Sequence, residues 1–227
     1  MARISRWRVD RGGEARAALG QQLVLAGGGH THALLLRRWV MDPGSRPKGV
    51  LVTLVNRHSA ALYSGMVPGL VAGRYGRQAC AIDLRDLCRR AGVSFVQAEI
   101  SGLKPGVREL ELEGRPPLRY DRLSLDVGAV TALPAPTARP APPGPTAAMA
   151  VKPLEPFLDW WEQWAAAPPP RPLRIRGGGA AAVELALAFA SRGIQAQLLL
   201  RGMELGLGSP AANRSGERLL QRAGIAV

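Results

Sequence analysis

Cysteine is scarce in this chain of 227 residues, which contains only Cys80 and Cys88. Their spacing gives neither a C-x-x-C redox pair nor a metal knuckle, so a reduced, cytoplasmic setting is the simplest interpretation. The sequence also lacks any run of about 18 apolar residues, and no transmembrane helix is predicted. The segment 1–20 carries several arginines without the apolar core of a secretory signal, and we expect a disordered leader there.

Lysine is nearly absent although the chain is strongly basic. Lys and Arg total 30 against 17 Asp and Glu, which gives a formal net charge of +13, and the lysines are Lys48, Lys104 and Lys152. The arginines are spread along the chain, with no basic block interleaved with aromatic residues of the kind that binds nucleic acid. We therefore expect no nucleic-acid partner.

A triple glycine that follows a short apolar run is the most informative feature present. Residues 22–32, QLVLAGGGHTH, predict a buried strand over 23–26, a turn at Gly27, Gly28 and Gly29, and a helix over 33–40. Such a turn directs amide N–H groups and the helix dipole toward an anion, and a dinucleotide pyrophosphate fits it. The fingerprint G-x-G-x-x-G requires a small residue at the sixth position, where this chain has His32. A plain glycine turn is the alternative interpretation.

A second copy of this pattern lies far along the chain. Residues 173–189, LRIRGGGAAAVELALAF, repeat the strand, the triplet Gly177, Gly178 and Gly179, and an apolar helix. Ala182 takes the sixth position, which the fingerprint allows. The two triplets are too far apart for one βαβ unit, so the sequence predicts two nucleotide-binding domains. A strand over 197–200, a helix around 211–223 and a strand beginning at 224 are expected to follow.

The residues after the first predicted helix continue the first unit. Residues 50–55 predict its second strand, whose tip carries Asn56 in place of the acid that binds ribose in such units. An asparagine can still accept a hydroxyl hydrogen bond, and a simple turn residue is the equal alternative. A short helix over 83–90 and three strands over 93–100, 107–113 and 119–126 are predicted next.

Three further segments have distinctive compositions. Residues 63–73, YSGMVPGLVAG, predict a loop whose apolar side chains wrap something large and flat, and residues 131–147 predict a proline-rich linker. Residues 154–167 predict a helix carrying Trp160, Trp161 and Trp164. These tryptophans indicate either a membrane or quinone surface or a helix that packs between the two domains.

The three histidines do not form a predicted metal site. His30, His32 and His58 all lie near the first glycine triplet, but no cysteine or carboxylate joins them at ligand spacing. We therefore predict no bound metal.

The order of these motifs resembles one protein family. GGGHTH, YSGMVPG, IDLRDL, YDRLSLDVGA, VKPLEPFLDWW and GGGAAAVELA follow one another as in the FAD-dependent pyridine nucleotide-disulfide oxidoreductase superfamily. The chain is most similar to the type II NADH dehydrogenase-like branch, some of whose bacterial members are fused to a selenide, water dikinase domain. The resemblance implies an α/β fold with a Rossmann-like FAD-binding domain over 21–150 and an inserted, incomplete NAD(P)-binding Rossmann domain over 151–227.

The resemblance also implies which residues hold the cofactors. Gly27, Gly28, Gly29, His30 and Asn56 would bind FAD, and the segment from Asp126 to Gly128 would close the FAD domain. In the second domain, Gly177, Gly178, Gly179, Ala182 and Glu184 would bind NAD(P)H. Arg201, at the tip of the following strand, could favour the 2′-phosphate of NADPH or could stand there by chance, since the chain is rich in arginine.

The implied activity is transfer of a hydride from NAD(P)H to FAD and of electrons to an acceptor such as a quinone. The family's disulfide pair is missing, and no side chain is assigned as an acid or base. Two other classes remain open: a non-catalytic nucleotide-binding or regulatory module linked to selenophosphate synthesis, and a flavin hydroxylase or halogenase. The chain ends inside a predicted strand at Val227, so we expect a C-terminally truncated enzyme or inactive fragment that needs its missing half, or a dikinase domain, as partner.

Overall fold

The protein is a mixed α/β structure with a Rossmann-type parallel sheet, as the sequence predicts. The computed structural model describes residues 20–131, 148–166 and 172–227. The chain divides into two compact units, of which the first comprises residues 1–61 and 82–128 and the second comprises residues 62–81 and 129–227. The predicted leader and proline-rich linker lie almost entirely outside the described residues. The assignment of an FAD domain over 21–150 and an NAD(P) domain after it stays a prediction.

Strands and α-helices alternate at both ends of the described chain. The strands are β1 Gln21–Ala26, β2 Val50–Asn56, β3 Ala60–Leu62, β4 Ala81–Asp83, β5 Ser94–Gln97, β6 Ile100–Lys104, β7 Glu109–Leu112, β8 Arg115–Arg119, β9 Arg122–Leu125, β10 Leu173–Arg176 and β11 Ala196–Leu199. The α-helices are α1 His30–Met41, α2 Val67–Val71, α3 Leu84–Ala91, α4 Leu154–Ala166, α5 Ala180–Ala190 and α6 Pro210–Arg222.

The first unit is built on a four-stranded sheet in the order β5-β2-β1-β9. Each neighbouring pair is parallel, and Ala26 at the end of β1 lies opposite Val55 of β2 and Leu125 of β9. Because the carboxyl ends of parallel strands meet at one edge, the residues that follow β1, β2 and β9 converge there. This convergence positions the first glycine triplet.

Both faces of this sheet are buried, which explains the continuous apolar runs of β1 and β2. On one face Leu25 and Leu54 pack with Leu36 of α1 and Leu84 of α3. On the other face Val24 and neighbouring residues pack against the antiparallel sheet β6-β7-β8, which contributes its buried leucines. A one-residue slip of β1 would exchange the side chains of its two faces and disrupt the packing on both.

The three strands predicted over 93–126 are in fact five. The predicted strand 93–100 breaks after Gln97, and the predicted strand 119–126 is divided by a turn between β8 and β9. Strand β8 was not predicted because it contains Pro116 and Pro117. It lies at the edge of its sheet, where proline is tolerated because the backbone need not donate on both sides.

The predicted loop over 63–73 is largely helical, and its apolar side chains serve the protein's own core. A 3-10 turn over Ser64–Met66 leads into α2, which carries a proline in its first turn where no backbone donor is needed. Val67, Leu70 and Val71 are buried in the core of the second unit. Their apolar character is thus explained without a ligand.

The second unit repeats the strand, glycine turn and helix of the first. Strands β10 and β11 are parallel, with Leu173 opposite Ala196, and α5 and α6 pack beside them. The strand predicted to begin at residue 224 is a single parallel bridge between Gln197 and Ala226.

The tryptophan-bearing helix α4 packs within the second unit. Trp161 is 2% exposed, and its ring centroid lies 5.1 Å from that of Phe189 on α5. Trp160 and Trp164 are partly buried against the same cluster. A membrane contact through these residues stays a prediction. Among the described residues, no helix is long and apolar enough to cross a bilayer.

Candidate functional site

The first glycine turn begins with a residue that only glycine suits. Gly27 has φ +91° and donates its N–H to the Val55 carbonyl over 2.8 Å. A Cβ at this position would overlap the backbone of Asp126. Gly27 is therefore required both for its left-handed conformation and for the close approach of the segment that follows β9.

The Asp126 carboxylate lies at the N-terminus of α1. Its Oδ2 accepts the His32 backbone N–H over 3.0 Å, and its backbone carbonyl accepts the Gly29 N–H over 3.1 Å. A Cβ on Gly29 would overlap this carboxylate. In the dinucleotide fingerprint the second glycine leaves that space for a pyrophosphate. The site thus holds an anion already, supplied by the protein, and its donors suit the negative charge of a phosphate.

Asn56 holds the same turn from the other side. Its Oδ1 accepts the Gly28 N–H over 2.8 Å, and its Nδ2 donates to the His58 carbonyl over 2.8 Å. A Cβ on Gly28 would overlap the Leu84 side chain. The Asn56 amide is therefore hydrogen-bonded at both ends, to the glycine turn and to the backbone after β2. This favours the interpretation of Asn56 as a turn residue over direct ribose binding.

His32 is the residue whose role the sequence did not show. It is 1% exposed, with Nδ1 2.6 Å from the Gly27 carbonyl and Nε2 2.8 Å from the Ser124 Oγ. Since a carbonyl only accepts, Nδ1 donates to Gly27, and in the neutral ring Nε2 accepts from the Ser124 hydroxyl. The large side chain that breaks the fingerprint is a buried polar link between α1, the turn and β9. The sequence signal available for this link was Ser124, a polar residue between two leucines of β9.

The remaining residues predicted for the first site are exposed. His30 is the first residue of α1 and faces solvent. Gly128 has φ +78° with open space at its Cβ position, so its backbone conformation accounts for the glycine. The structure brings Gly27, Gly28, Gly29, Asn56 and Asp126 together.

The second glycine turn also connects a parallel strand to a helix, but different residues pack against its glycines. Gly177 has φ +147° and donates to the Leu199 carbonyl over 3.0 Å. A Cβ on Gly178 would come within 2.8 Å of the Leu200 Cδ2, and its carbonyl accepts the Gly206 N–H over 2.9 Å. Packing inside the unit therefore accounts for the second glycine of this triplet.

Gly179 faces open space. Among the residues that the structure describes, a Cβ there would meet no atom within 4 Å. Ala182 is close to Gly177, which explains the small residue at the sixth position, whereas Glu184 is exposed on α5 and Arg201 is exposed beyond β11. Within the described part of the chain, the N-terminus of α5 is thus open at Gly179, where that of α1 is taken by Asp126.

Neither cysteine is suited to thiol chemistry. Cys80 and Cys88 are unpaired and buried, and burial raises the pKa of the Cys88 thiol from its ordinary value of 9.0 to about 12 and raises that of Cys80 as well. The thiolate is the reactive form, so both groups are protonated near neutral pH. In the described parts of the chain, no three His, Cys, Asp or Glu residues cluster as metal ligands would.

We expect Ellman's reagent to leave both thiols of the native protein unlabelled at pH 8 and to label two per chain after unfolding in urea. Because folding raises the pKa of Cys88, the native state holds a proton that the unfolded state releases, so stability is lost as the pH rises from 9.0 toward about 12. Rapid labelling of the native protein would contradict this assignment. A Cys80→Ser, Cys88→Ser double variant supplies the unlabelled control.

No protein-family model matches the sequence, and no curated protein sequence does either. Solved structures do match. Reduced CoADR-RHD of Bacillus anthracis superimposes with a TM-score of 0.69 at 15% identity, over 91% of this chain and 38% of the other. NDH2 of Plasmodium falciparum in complex with NADH gives 0.67 at 16% identity, over 92% and 47%. The sulfide:quinone oxidoreductase of Aquifex aeolicus gives 0.63 at 19% identity, over 91% and 50%.

The likeness identifies the fold. All three structures share the Rossmann-type α/β fold of this chain, in agreement with its parallel sheets and two glycine turns. The chain spans about half or less of the length of these proteins.

Proposed function

We propose that the protein is an FAD-dependent NAD(P)H oxidoreductase that passes electrons to a small acceptor such as a quinone. The observation that carries this proposal is the duplicated turn, a triple glycine between a parallel strand and a helix N-terminus in each unit. Support comes from neighbours with the same fold, one solved with NADH and one named for its quinone substrate. Bound FAD would supply the hydride chemistry, and the chain would supply binding and orientation.

The first turn is the proposed FAD site. Its fit to a pyrophosphate is supported by the Asp126 carboxylate, an anion that the turn already accommodates. Gly27 and Gly29 allow the close approach, and Asn56 fixes the turn through the Gly28 N–H. His32 holds the helix start against β9 in place of the usual small residue.

The second turn is the proposed NAD(P)H site. The open N-terminus of α5 at Gly179 supplies amide donors and the positive end of the helix dipole for a pyrophosphate. Ala182 permits the tight turn beside Gly177. Glu184 and Arg201 contribute to nucleotide selection in this proposal, and Arg201 would favour NADPH.

The proposal predicts that the purified full chain, incubated with FAD and freed of excess, retains flavin. We expect quenched flavin fluorescence and a flavin absorption spectrum that bleaches on addition of NADH or NADPH. The control for nonspecific flavin uptake is the same incubation with riboflavin in place of FAD and with no NAD(P)H added. Absence of flavin both in this chain alone and in the presence of the partner polypeptide expected from the sequence would contradict the oxidoreductase. Retention of flavin without bleaching by either nicotinamide would instead favour a non-catalytic nucleotide-binding module.

Substitutions at Gly28 and Gly29 would not isolate the cofactor site. A side chain at Gly28 overlaps the buried Leu84, and one at Gly29 displaces the Asp126 carboxylate, so either change alters the turn before any ligand is present. Variants at Asp126 and Gly179 avoid this problem. A selenide, water dikinase domain as partner and a cytoplasmic location rest on the resemblance and on the cysteine content, and both stay predictions.

A further inference from the structure

We propose that the Asp126 carboxylate competes with the cofactor pyrophosphate at the first glycine turn and so lowers the affinity of this site for phosphate-bearing ligands. The inference rests on the proposed FAD site and adds a specificity-determining residue to it. Asp126 would discriminate against simple anions, because a ligand must bring further contacts to displace the carboxylate or share the turn with it.

The geometry of the turn supports this competition. The Asp126 Oδ2 accepts the N–H of His32, the third residue of α1, over 3.0 Å. Its carboxylate also fills the space beside Gly29 that the fingerprint leaves for a phosphate. The amides of Gly27, Gly28 and Gly29 are likewise bonded to protein acceptors. An incoming pyrophosphate therefore meets a negative charge and an occupied donor.

The second turn shows what the site looks like without such a carboxylate. Gly179 begins α5 as Gly29 begins α1, in nearly the same extended conformation, with φ −83° and −66° respectively. Of the described residues, none has an atom within 4 Å of a Cβ placed on Gly179, whereas a Cβ on Gly29 meets three atoms of the Asp126 side chain. The glycine sequence is the same in both turns, so the difference in access comes from Asp126.

The test is the substitution Asp126→Asn, which retains an oxygen acceptor for the His32 N–H and removes the charge. We expect FAD to bind the variant about tenfold more tightly than the wild-type chain, because the pyrophosphate no longer faces a carboxylate. Riboflavin, which carries no phosphate, should bind both proteins equally. Flavin fluorescence titration at fixed ionic strength measures both affinities.

Asp121→Asn is the matched control. Asp121 lies at the other end of β9, where its Oδ2 also accepts a backbone N–H, from Gln22 over 2.8 Å. This variant also removes one negative charge next to β9, and its affinity for FAD should equal that of the wild type. If it gains as much as Asp126→Asn, general electrostatics explain the effect and the inference is overturned.

The outcomes separate the inference from the proposed function. If the wild type binds FAD and Asp126→Asn, folded by circular dichroism, binds it no more tightly, the competition is wrong while the FAD site stands. An equal gain for riboflavin also overturns it. If no variant binds FAD, the proposed function fails together with the inference. Should Asp126→Asn not fold, Asp126→Ser removes the charge with a smaller side chain and is judged by the same comparisons.

Discussion

Restoring the consensus glycine at His32 should destabilise the protein rather than improve its nucleotide site. We expect His32→Gly to lower the free energy of unfolding by about 3–5 kcal/mol. The side chain is 1% exposed and makes hydrogen bonds to the Gly27 carbonyl and the Ser124 Oγ. Its removal leaves a cavity and two groups without their partner, and glycine adds a cost of about 1 kcal/mol in a helix. Urea unfolding followed by circular dichroism measures the change.

Thr31→Gly is the matched control for this experiment. Thr31 precedes His32 in the first turn of α1 but is exposed, so the same substitution should cost about 1 kcal/mol or less. A His32→Gly variant as stable as Thr31→Gly would show that the buried histidine is dispensable. Ser124→Ala should cost about 1 kcal/mol, because it removes only the hydroxyl that faces Nε2.

Placing an aspartate at Gly179 should separate nucleotide binding from folding. Gly179 is the N-cap of α5, where aspartate can accept an N–H of the first turn and complement the helix dipole. The residue has φ −83°, and its Cβ would meet no atom within 4 Å. We therefore expect Gly179→Asp to leave the free energy of unfolding unchanged or to raise it by up to about 1 kcal/mol.

The same substitution should weaken NAD(P)H binding by at least about tenfold, since the carboxylate takes the amides and the space that the pyrophosphate needs. It reproduces at the second turn the arrangement that Asp126 creates at the first. Isothermal titration with NADH and NADPH gives the affinity, and thermal unfolding gives the stability. Unchanged affinity in a stable variant would remove this turn from the proposed site.

Gly76→Asp supplies the control for added charge. Gly76 also belongs to the second unit, begins a short 3-10 helix in an extended conformation with φ −84°, and has open space at its Cβ position. Its substitution should leave NAD(P)H affinity unchanged. A loss equal to that of Gly179→Asp would indicate a nonspecific charge effect.

The elements that depend on local sequence were predicted well. The strand, turn and helix at each glycine triplet were predicted because a tight turn needs glycine and the residues on either side of it have the patterns of a strand and of an apolar helix. The short helix α3 was predicted because Asp83 caps it, accepting the Asp86 N–H over 2.9 Å, and Gly92 ends it in the left-handed conformation. Such signals act over a few residues and need no knowledge of the fold.

The elements that depend on packing were predicted poorly. The glycine- and proline-rich segment 63–73 contains a helix because Val67 and Leu70 gain a core to enter. The proline-bearing strand β8 forms because an edge position was available beside β7. Neither the core nor the edge can be recognised from the segment itself, so composition alone pointed to loops.

The residue pattern alone predicts two glycine turns between strands and helices and a Rossmann-type α/β fold. What each turn holds depends on contacts between segments that are far apart in the chain. Asp126 reaches the first turn because β9 pairs in parallel with β1, in a register that sets Leu125 opposite Ala26. That register depends on how the side chains of each sheet face fit the layer packed against them, a property of the assembled layers that no local stretch of sequence encodes. The same pairing places Ser124 against His32, so a residue that breaks the glycine fingerprint becomes part of the support for the turn.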